Sequence, residues 1–491
     1  MKSNILLKLP LKDYRSSVYG CWIGKNIGGT IGGPYECLRE ELDVKGFTTE
    51  PGEPLPNDDL DLQLAWLYTL ERIGSRAINA KTLGETWVNI ITPYWNEYGI
   101  GKANMKRGIE PPMSGDYNND WKNSNGAWIR TEIWACLAPA CPDIAAKYAL
   151  EDARVDHGAG EGTYAAIFVA AMQSAAFAVK DIRGCIEIAL STIPENSRVA
   201  DSVREVISCY DKGMGFSETR KYILDRNIDI GDGWFEAPSN VAYAVIGLIF
   251  GEGDFKKSIL YAVNCGDDTD CTAATVGATL GILGGEAAIP DDWKAYIGDD
   301  IITISIKSDG AGLKIPKTCS ELAERIIFAS PHLLFDNNAF VELSDTLDSL
   351  PENAETIVKK NTKFINTSNQ IKPYTLSAEC SEFKAELTLA ASPDVKPLEE
   401  KKLRLTVENS YVINEDAPHN LNFRWWLADD FTVKGPKTAF LPHKNAHNNG
   451  VVSVEFSLNS GENVAATNRC VLEITSEGRF TSLYIPVILL G

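Results

Sequence analysis

The sequence lacks any uninterrupted apolar run of the roughly 18 residues that a membrane-spanning helix requires. Its first ten residues contain an apolar run of only three, from Ile5 to Leu7, which is too short for the core of a signal peptide. Both absences argue against a membrane protein and against a secreted one. We therefore expect a cytoplasmic protein without a membrane partner.

Basic residues are scarce as well, with 47 Lys and Arg against 67 Asp and Glu and a formal net charge of −20. Nucleic-acid-binding proteins need a basic face to neutralise phosphates, so this balance argues against a nucleic-acid partner. It leaves room for a small phosphorylated ligand held by backbone N–H groups.

Paired cysteine motifs are also missing. The 11 cysteines are odd in number and widely scattered, and no two of them form a CxxC pair. This distribution argues against a structural zinc and against a thioredoxin-like redox site. We expect most of the cysteines to be small buried apolar residues in a reducing compartment.

The sequence does contain two clusters of acidic residues, each at the start of an apolar helix. One is Asn264–Thr272, with three carboxylates within four positions, and the other is Pro56–Asp61. Burying several like charges is costly, and a bound divalent cation is the usual compensation. A single cluster is explained equally well as a solvated helix N-terminus. Two such clusters favour a shared metal site.

Glycines 20, 24, 28 and 32 recur every four residues in a predicted helix from residue 13 to about 33. That spacing lines one helix face with glycine and lets another helix approach closely. The denser run Gly28–Pro34 is expected to break the helix and approach a ligand. It contains no GxGxxG, which disfavours a dinucleotide-binding turn. Glu36 follows directly.

Three further features precede the second acidic cluster. Residues 99–126 are rich in Gly, Pro and Asn and predict a long loop, which in a compact domain is often functional. Arg130 lies among apolar neighbours, where a salt bridge is favoured over a ligand contact. His157 is the only histidine in the first 330 residues. We interpret it as a hydrogen-bonding residue rather than a metal ligand.

The pattern changes after about residue 335. Helical periodicity gives way to a polar stretch, and from 373 short segments alternate apolar and polar residues between turns, as in a β-sandwich of about seven strands. We predict an all-α domain over 1–335, a linker over 336–372 and an immunoglobulin-like β-sandwich over 373–491.

Residues 13 to about 327 resemble the ADP-ribosylglycohydrolase family. Gly20–Glu36 is similar to the opening helix, glycine-rich loop and glutamate of the family, and Asn57–Asp59 lies at its Thr-Asp-Asp. Asn125–Arg130, with His157 downstream, resembles its central Gly-x-x-x-Arg and His region. Gly266–Cys271 resembles its Gly-Gly-Asp-Thr-Asp-Thr, followed by the same helix of small residues.

The resemblance implies an all-helical domain that binds two divalent cations, magnesium or manganese, between the two clusters. The ligands implied by position are Asn57, Asp58, Asp59, Asp268, Asp270 and Cys271. The implied catalytic residues are Glu36 and Asp59, and the implied substrate contacts are Gly32, Gly126, Arg130 and His157. Asn57 and Cys271 stand where the family has hydroxyl ligands, and a cysteine is a soft ligand poorly matched to magnesium.

The function implied by the resemblance is metal-dependent hydrolysis of the bond between ADP-ribose, or a related ribosyl group, and its acceptor. Cleavage at ribose C1 passes through an oxocarbenium-like transition state, which cations and a carboxylate can assist. The substrate would be an ADP-ribosylated protein or a small ribosyl compound. The alternatives are a module that binds ADP-ribose or a nucleotide without turnover, and a hydrolase of another N-glycoside.

Overall fold

A computed structural model of the 491-residue chain describes residues 5–231, 234–306, 312–362, 371–410, 418–444 and 449–491. The chain divides into two compact units. The first comprises residues 1–99 and 120–370, and the second comprises residues 100–119 and 371–491. None of the helices in the described ranges combines the length and the apolar character that a bilayer span requires.

The described residues form 17 α-helices. They are α1 (Leu11–Gly32), α2 (Asp58–Ile73), α3 (Ala80–Ile90), α4 (Asn96–Lys106), α5 (Met113–Asp116), α6 (Glu132–Leu137), α7 (Pro142–Ala153), α8 (Glu161–Ala175), α9 (Ile182–Leu190), α10 (Arg198–Asp211), α11 (Phe216–Asn227), α12 (Ala237–Phe250), α13 (Phe255–Asn264), α14 (Thr269–Gly284), α15 (Asp291–Ile297), α16 (Cys319–Asp336) and α17 (Ala354–Asn361). The predicted helix-rich first part of the chain is confirmed.

Helices α1 and α14 pack against each other along their glycines. A Cβ atom at Gly24 would lie 2.1 Å from the carbonyl oxygen of Gly277, and one at Gly28 would lie 2.2 Å from that of Ala273. The prediction that the run from Gly28 breaks the helix is wrong, because α1 continues to Gly32. Glycine there serves the close approach of two helix backbones, which offsets its low helix propensity.

The second unit is a β-sandwich of nine described strands. Its strands are β3 (Thr375–Glu379), β4 (Phe383–Leu389), β5 (Glu400–Asn409), β6 (His419–Trp426), β7 (Thr432–Lys434), β8 (Thr438–Leu441), β9 (Val451–Asn459), β10 (Asn468–Ser476) and β11 (Ser482–Leu489). They form two antiparallel sheets, in the orders β11-β10-β6-β8 and β3-β4-β5-β9-β7. Apolar side chains of both sheets share one core, as the alternating pattern predicts.

Residues 100–119 belong to this second unit. The side chains of Ile109, Met113 and Tyr117 are buried in its core. The prediction of one irregular loop over 99–126 is therefore wrong for this part, since helices α4 and α5 and three buried side chains replace it. The turn-forming residues of this stretch led to the loop prediction, because the few apolar residues between them show no helical periodicity.

The stretch predicted as a linker is partly ordered in the first unit. Strand β2 (Val341–Ser344) pairs in parallel with β1 (Leu7–Pro10), and α17 follows it. The strand was not predicted from the sequence. Residues 363–370 of the stretch lie outside the described residues.

Candidate active site

The first acidic cluster forms the N-terminus of α2. The side-chain oxygen of Asn57 caps this helix by accepting the backbone N–H of Asp59 at 2.8 Å. Asp58 is half-buried, and its Oδ2 accepts a hydrogen bond of 3.0 Å from the hydroxyl of Tyr98. Asp59 is fully buried. The cap thus turns two adjacent carboxylates into the interior of the first unit.

The second cluster forms the N-terminus of α14, and it meets the first. Asp268 immediately precedes the helix, and its Oδ2 accepts a hydrogen bond of 2.6 Å from the amide of Asn125. The thiol of Cys271 donates to Asp59 Oδ1 at 3.3 Å, which links the two clusters directly. Oxygen atoms of Glu36, Asp268 and Asp270 lie within 4.8 Å of one another, and so do the ligand atoms of Asp59, Asp270 and Cys271.

Apart from Asp59, these residues border a pocket of about 720 Å³, a volume typical of small-molecule sites. Its carboxylates come from Glu36, Asp58, Glu97, Asp268 and Asp270. Backbone and small side chains form another part of the pocket wall. The aromatic side chains that line the pocket are Tyr94, Trp95, Tyr98 and Phe235. The pocket therefore combines a strongly acidic floor with an aromatic rim.

Asp267 turns away from this floor. It adopts a left-handed backbone conformation with φ of 68°, and its Oδ2 accepts a hydrogen bond of 2.9 Å from the Asn240 amide. Its other oxygen accepts the backbone N–H of Phe235 at 3.4 Å. Asp267 therefore holds the loop before α12 in place, whereas its neighbour Asp268 faces the pocket.

The carboxyl groups of the floor raise one another's pKa values. The charge of Asp270, then burial and the charge of Asp58, raise the pKa of Glu36 to about 8. Burial, then Asp270, raises the pKa of Asp58 to about 6, and burial raises the pKa of Asp268 well above its usual range. Such shifts mark carboxylates that lack a compensating positive charge.

Buried oxygen atoms without a donor point to a cation at this floor. Within the described residues, no hydrogen bond reaches Asp268 Oδ1, Asp270 Oδ1 or Asp59 Oδ2, and all three atoms are buried. Buried carboxylate oxygens are ordinarily paired, and hard divalent cations are bound by oxygen ligands. The residues of the floor therefore fit a magnesium or manganese ion.

The predicted substrate contacts fall in two groups. Gly126 lines the pocket, whereas Gly32 packs on α14, where an added Cβ would lie 2.3 Å from the carbonyl oxygen of Thr269. Arg130 and His157 are fully buried and do not line the described pocket. Their role as substrate contacts stays a prediction.

Arg130 and His157 are members of a buried network of charged groups. The guanidinium of Arg130 donates to Asp152 at 2.8 Å, to Asp156 at 2.7 Å and to the carbonyl of Gly126. His157 contacts Asp156 at 2.9 Å. Burial alone would raise the pKa of Asp156, but the neighbouring Arg130 and His157 outweigh it and hold that pKa at about 2. The network thus anchors the Gly126 wall of the pocket from behind.

Two charged residues of the site were missed by sequence reasoning. Glu97 is 6% exposed and lines the pocket, and its Oε2 accepts no hydrogen bond from the part of the chain that the structure describes; Lys25 is fully buried beside Asp59. Glu97 lies in a short stretch of mixed aromatic and polar residues without periodicity, so no sequence signal marked it. Lys25 could have been found from the sequence, because a lysine in the apolar middle of a glycine-striped helix needs a buried partner.

The fold and the site define a helical protein with a carboxylate-lined pocket suited to a divalent cation. The model of the ADP-ribosylglycohydrolase family matches residues 10–327, more than half of the chain, and the chain belongs to that family. The family is typically metal-dependent and acts on ADP-ribosylated substrates, and membership supports a hydrolase of ADP-ribosyl linkages at family level.

Other comparisons add little to this assignment. No curated protein matches the chain. An ADP-ribosylglycohydrolase-related protein complex is similar at 23% identity and a TM-score of 0.41, covering 66% of this chain and 97% of the matched one.

Two smaller structures match over shorter stretches. One is a FixG-related protein from Vibrio parahaemolyticus, with 12% identity, a TM-score of 0.18, and coverage of 23% of this chain and 97% of that one. The other is the GAE domain of GGA2p from Saccharomyces cerevisiae. It has 14% identity and a TM-score of 0.17, and the match covers 24% of this chain and 97% of that one. All three TM-scores lie below 0.5, so the assignment rests on the family model.

Proposed function

We propose that this protein is a metal-dependent hydrolase of the glycosidic bond between ADP-ribose, or a related ribosyl group, and its acceptor. The supporting observation is the convergence of the two acidic clusters at the floor of one pocket, where, among the described residues, no hydrogen bond reaches the buried Asp268 Oδ1 and Asp270 Oδ1. Family membership supports the same reaction class.

Asp58, Asp268 and Asp270 would hold the cation, together with Glu36 from the loop after α1. Two neighbours orient these ligands, since Tyr98 donates to Asp58 and Asn125 donates to Asp268. When bound, a divalent cation positions the ribose hydroxyls and polarises a water molecule. Magnesium and manganese are the proposed ions because these residues offer oxygen ligands.

Glu36 is the proposed proton acceptor. It is the most exposed carboxylate of the floor, and it sits on the loop at the pocket edge. The carboxylate can accept the proton of the attacking water while its charge stabilises the cationic sugar.

Asp59 is the second predicted catalytic residue. It is fully buried between Cys271 and Lys25, farther from solvent than Glu36. Its proposed part is electrostatic, since it shapes the charge at the floor without reaching the pocket surface.

The test compares Asp268→Asn and Asp58→Asn with the matched control Asp267→Asn. The first two should lose about 100- to 1,000-fold in kcat/KM, because a cation contributes several kcal/mol to transition-state stabilisation. Asp267 is adjacent in sequence but bonded to Asn240, so its variant should keep its activity. The assay measures release of ADP-ribose from peptides ADP-ribosylated on arginine or serine. Full activity in the Asp268 and Asp58 variants would refute the proposal.

A second candidate is a module that binds ADP-ribose without turnover. Cys271, in place of a hydroxyl ligand and bonded to Asp59, favours this alternative. Tight binding of ADP-ribose in calorimetry, with no product from any ADP-ribosylated or other N-ribosyl substrate, would support it over the hydrolase.

A further inference from the structure

The protein itself supplies one positive charge beside the acidic clusters. Lys25 of α1 is fully buried, and its Nζ lies 3.6 Å from Asp59 Oδ2 and 3.2 Å from Glu132 Oε2. The same nitrogen donates to the carbonyl oxygen of Ile129 at 2.7 Å. An ammonium group held on three sides in this way is a fixed part of the site.

Glu132 does not depend on the lysine alone. Its Oε2 accepts a hydrogen bond of 2.8 Å from the amide of Gln63, and its Oε1 accepts one of 3.2 Å from Gln173. Asp59 has fewer neighbours. Among the described residues, Asp59 Oδ2 faces the ammonium of Lys25 and receives no hydrogen bond, while Asp59 Oδ1 accepts from the Cys271 thiol. Both oxygens of Asp59 therefore already face a protein group.

The two candidate groups of ligands consequently differ in chemistry. The group of Asp59, Asp270 and Cys271 includes a sulfur atom and lies next to the Lys25 ammonium. The group of Glu36, Asp268 and Asp270 contains only carboxylates. Thiolates prefer soft metals, whereas magnesium and manganese prefer oxygen ligands. A hard cation therefore favours the all-carboxylate group, and a nearby ammonium disfavours a second cation beside Asp59.

We propose that the site holds a single hard divalent cation, magnesium or manganese, at Glu36, Asp268 and Asp270 with Asp58 as a further ligand, and that Lys25 replaces a second cation beside Asp59. This inference rests on the proposed metal-dependent function and narrows it. It differs from the two-ion site that the family resemblance implies. Asp59 then acts as the partner of Lys25, and Asp268 is a ligand of the resident ion.

The test measures manganese bound per chain, by equilibrium dialysis of the full-length protein against Mn²⁺ followed by elemental analysis. We expect one ion in the unchanged protein, one in Asp59→Asn and none in Asp268→Asn, because Asp268 is a ligand of the ion and Asp59 is not. Both substitutions preserve side-chain shape, and circular dichroism checks the fold. Electron paramagnetic resonance should show an isolated Mn²⁺ ion rather than an exchange-coupled pair.

A second variant tests the role of the lysine itself. Lys25→Met combined with Glu132→Gln removes a positive and a negative charge together, and Cys271→Thr adds an oxygen ligand. We expect this folded triple variant to bind two manganese ions. If it stays at one ion, Lys25 is not what excludes the second.

The outcomes separate this inference from the proposed function. Two ions in the unchanged protein, or loss of one ion in Asp59→Asn, would overturn the single-ion site and leave the hydrolase proposal intact. One ion without hydrolysis of any ribosyl substrate would overturn the proposed function and leave the single-ion site intact. No bound ion in the unchanged protein would overturn both.

Discussion

The contact between α1 and α14 makes Gly24→Ala a sharp test of how the site is assembled. The new Cβ would lie 2.1 Å from the carbonyl oxygen of Gly277, where ordinary contact begins at 3.4 Å. The obstacle is helix backbone, which cannot rotate aside as a side chain does. The two helices would therefore have to separate.

The expected cost follows from two opposing effects. Replacing glycine by alanine inside a helix stabilises it by about 1 kcal/mol. Overpacking a filled interface costs about 1–3 kcal/mol, and contact with backbone favours the upper end of that range. We therefore expect Gly24→Ala to lower the free energy of unfolding by about 2 kcal/mol.

The assay is urea unfolding followed by the helical circular dichroism signal, with Gly184→Ala as the matched control. Gly184 also lies within a helix, but its added Cβ would meet the end of the Val179 side chain at 3.1 Å, which can move. The control should be neutral or slightly stabilised. If Gly24→Ala is as stable as this control, the backbones of α1 and α14 are not in close contact at Gly24, and the glycine stripe does not serve their packing.

Two further predictions concern charge. The raised pKa values of Glu36, about 8, and Asp58, about 6, mean that the folded metal-free protein retains protons that the unfolded chain has lost. This stabilising contribution is complete below the ordinary carboxyl pKa values near 4, and it disappears as the pH rises through about 6 and 8. Thermal scans without metal should therefore show a melting temperature that falls as the pH rises over this range. A melting temperature that stays constant would contradict the prediction. Arg130→Ala leaves Asp152 and Asp156 buried without their cation, which should cost about 3–5 kcal/mol in chemical unfolding. A loss below about 1 kcal/mol would show that the network does not depend on the arginine.

The acidic clusters were visible in the sequence because their chemistry is local. Several carboxylates at the start of an apolar helix are costly to bury, and the presence of two such clusters indicated a need for compensation. The directions in which the individual side chains point could not be predicted from the sequence. Asp267 and Asp268 are adjacent, yet one is bonded to Asn240 and the other to Asn125, which only the tertiary structure decides.

Helix boundaries near glycine were harder to predict. Propensity favours a break at Gly28, and α1 nevertheless continues to Gly32, because burial against α14 outweighs the local preference. The same limit applies to residues 100–119, where turn-forming residues concealed apolar side chains that belong to the sandwich core. In both places a distant partner along the chain determines the local structure.

The glycine stripe and the charge of the site have a common origin in the packing of α1 on α14. Helix α14 carries Asp268 to Cys271 at its N-terminus, and α1 carries Lys25 immediately after Gly24. Glycine at the contact lets the two backbones approach closely, and next to it Lys25 lies 3.6 Å from Asp59, to which Cys271 of α14 donates. A bulkier residue at Gly24 should therefore disturb the number of bound ions as well as stability. Manganese stoichiometry in Gly24→Ala thus links the packing of the fold to the composition of its metal site.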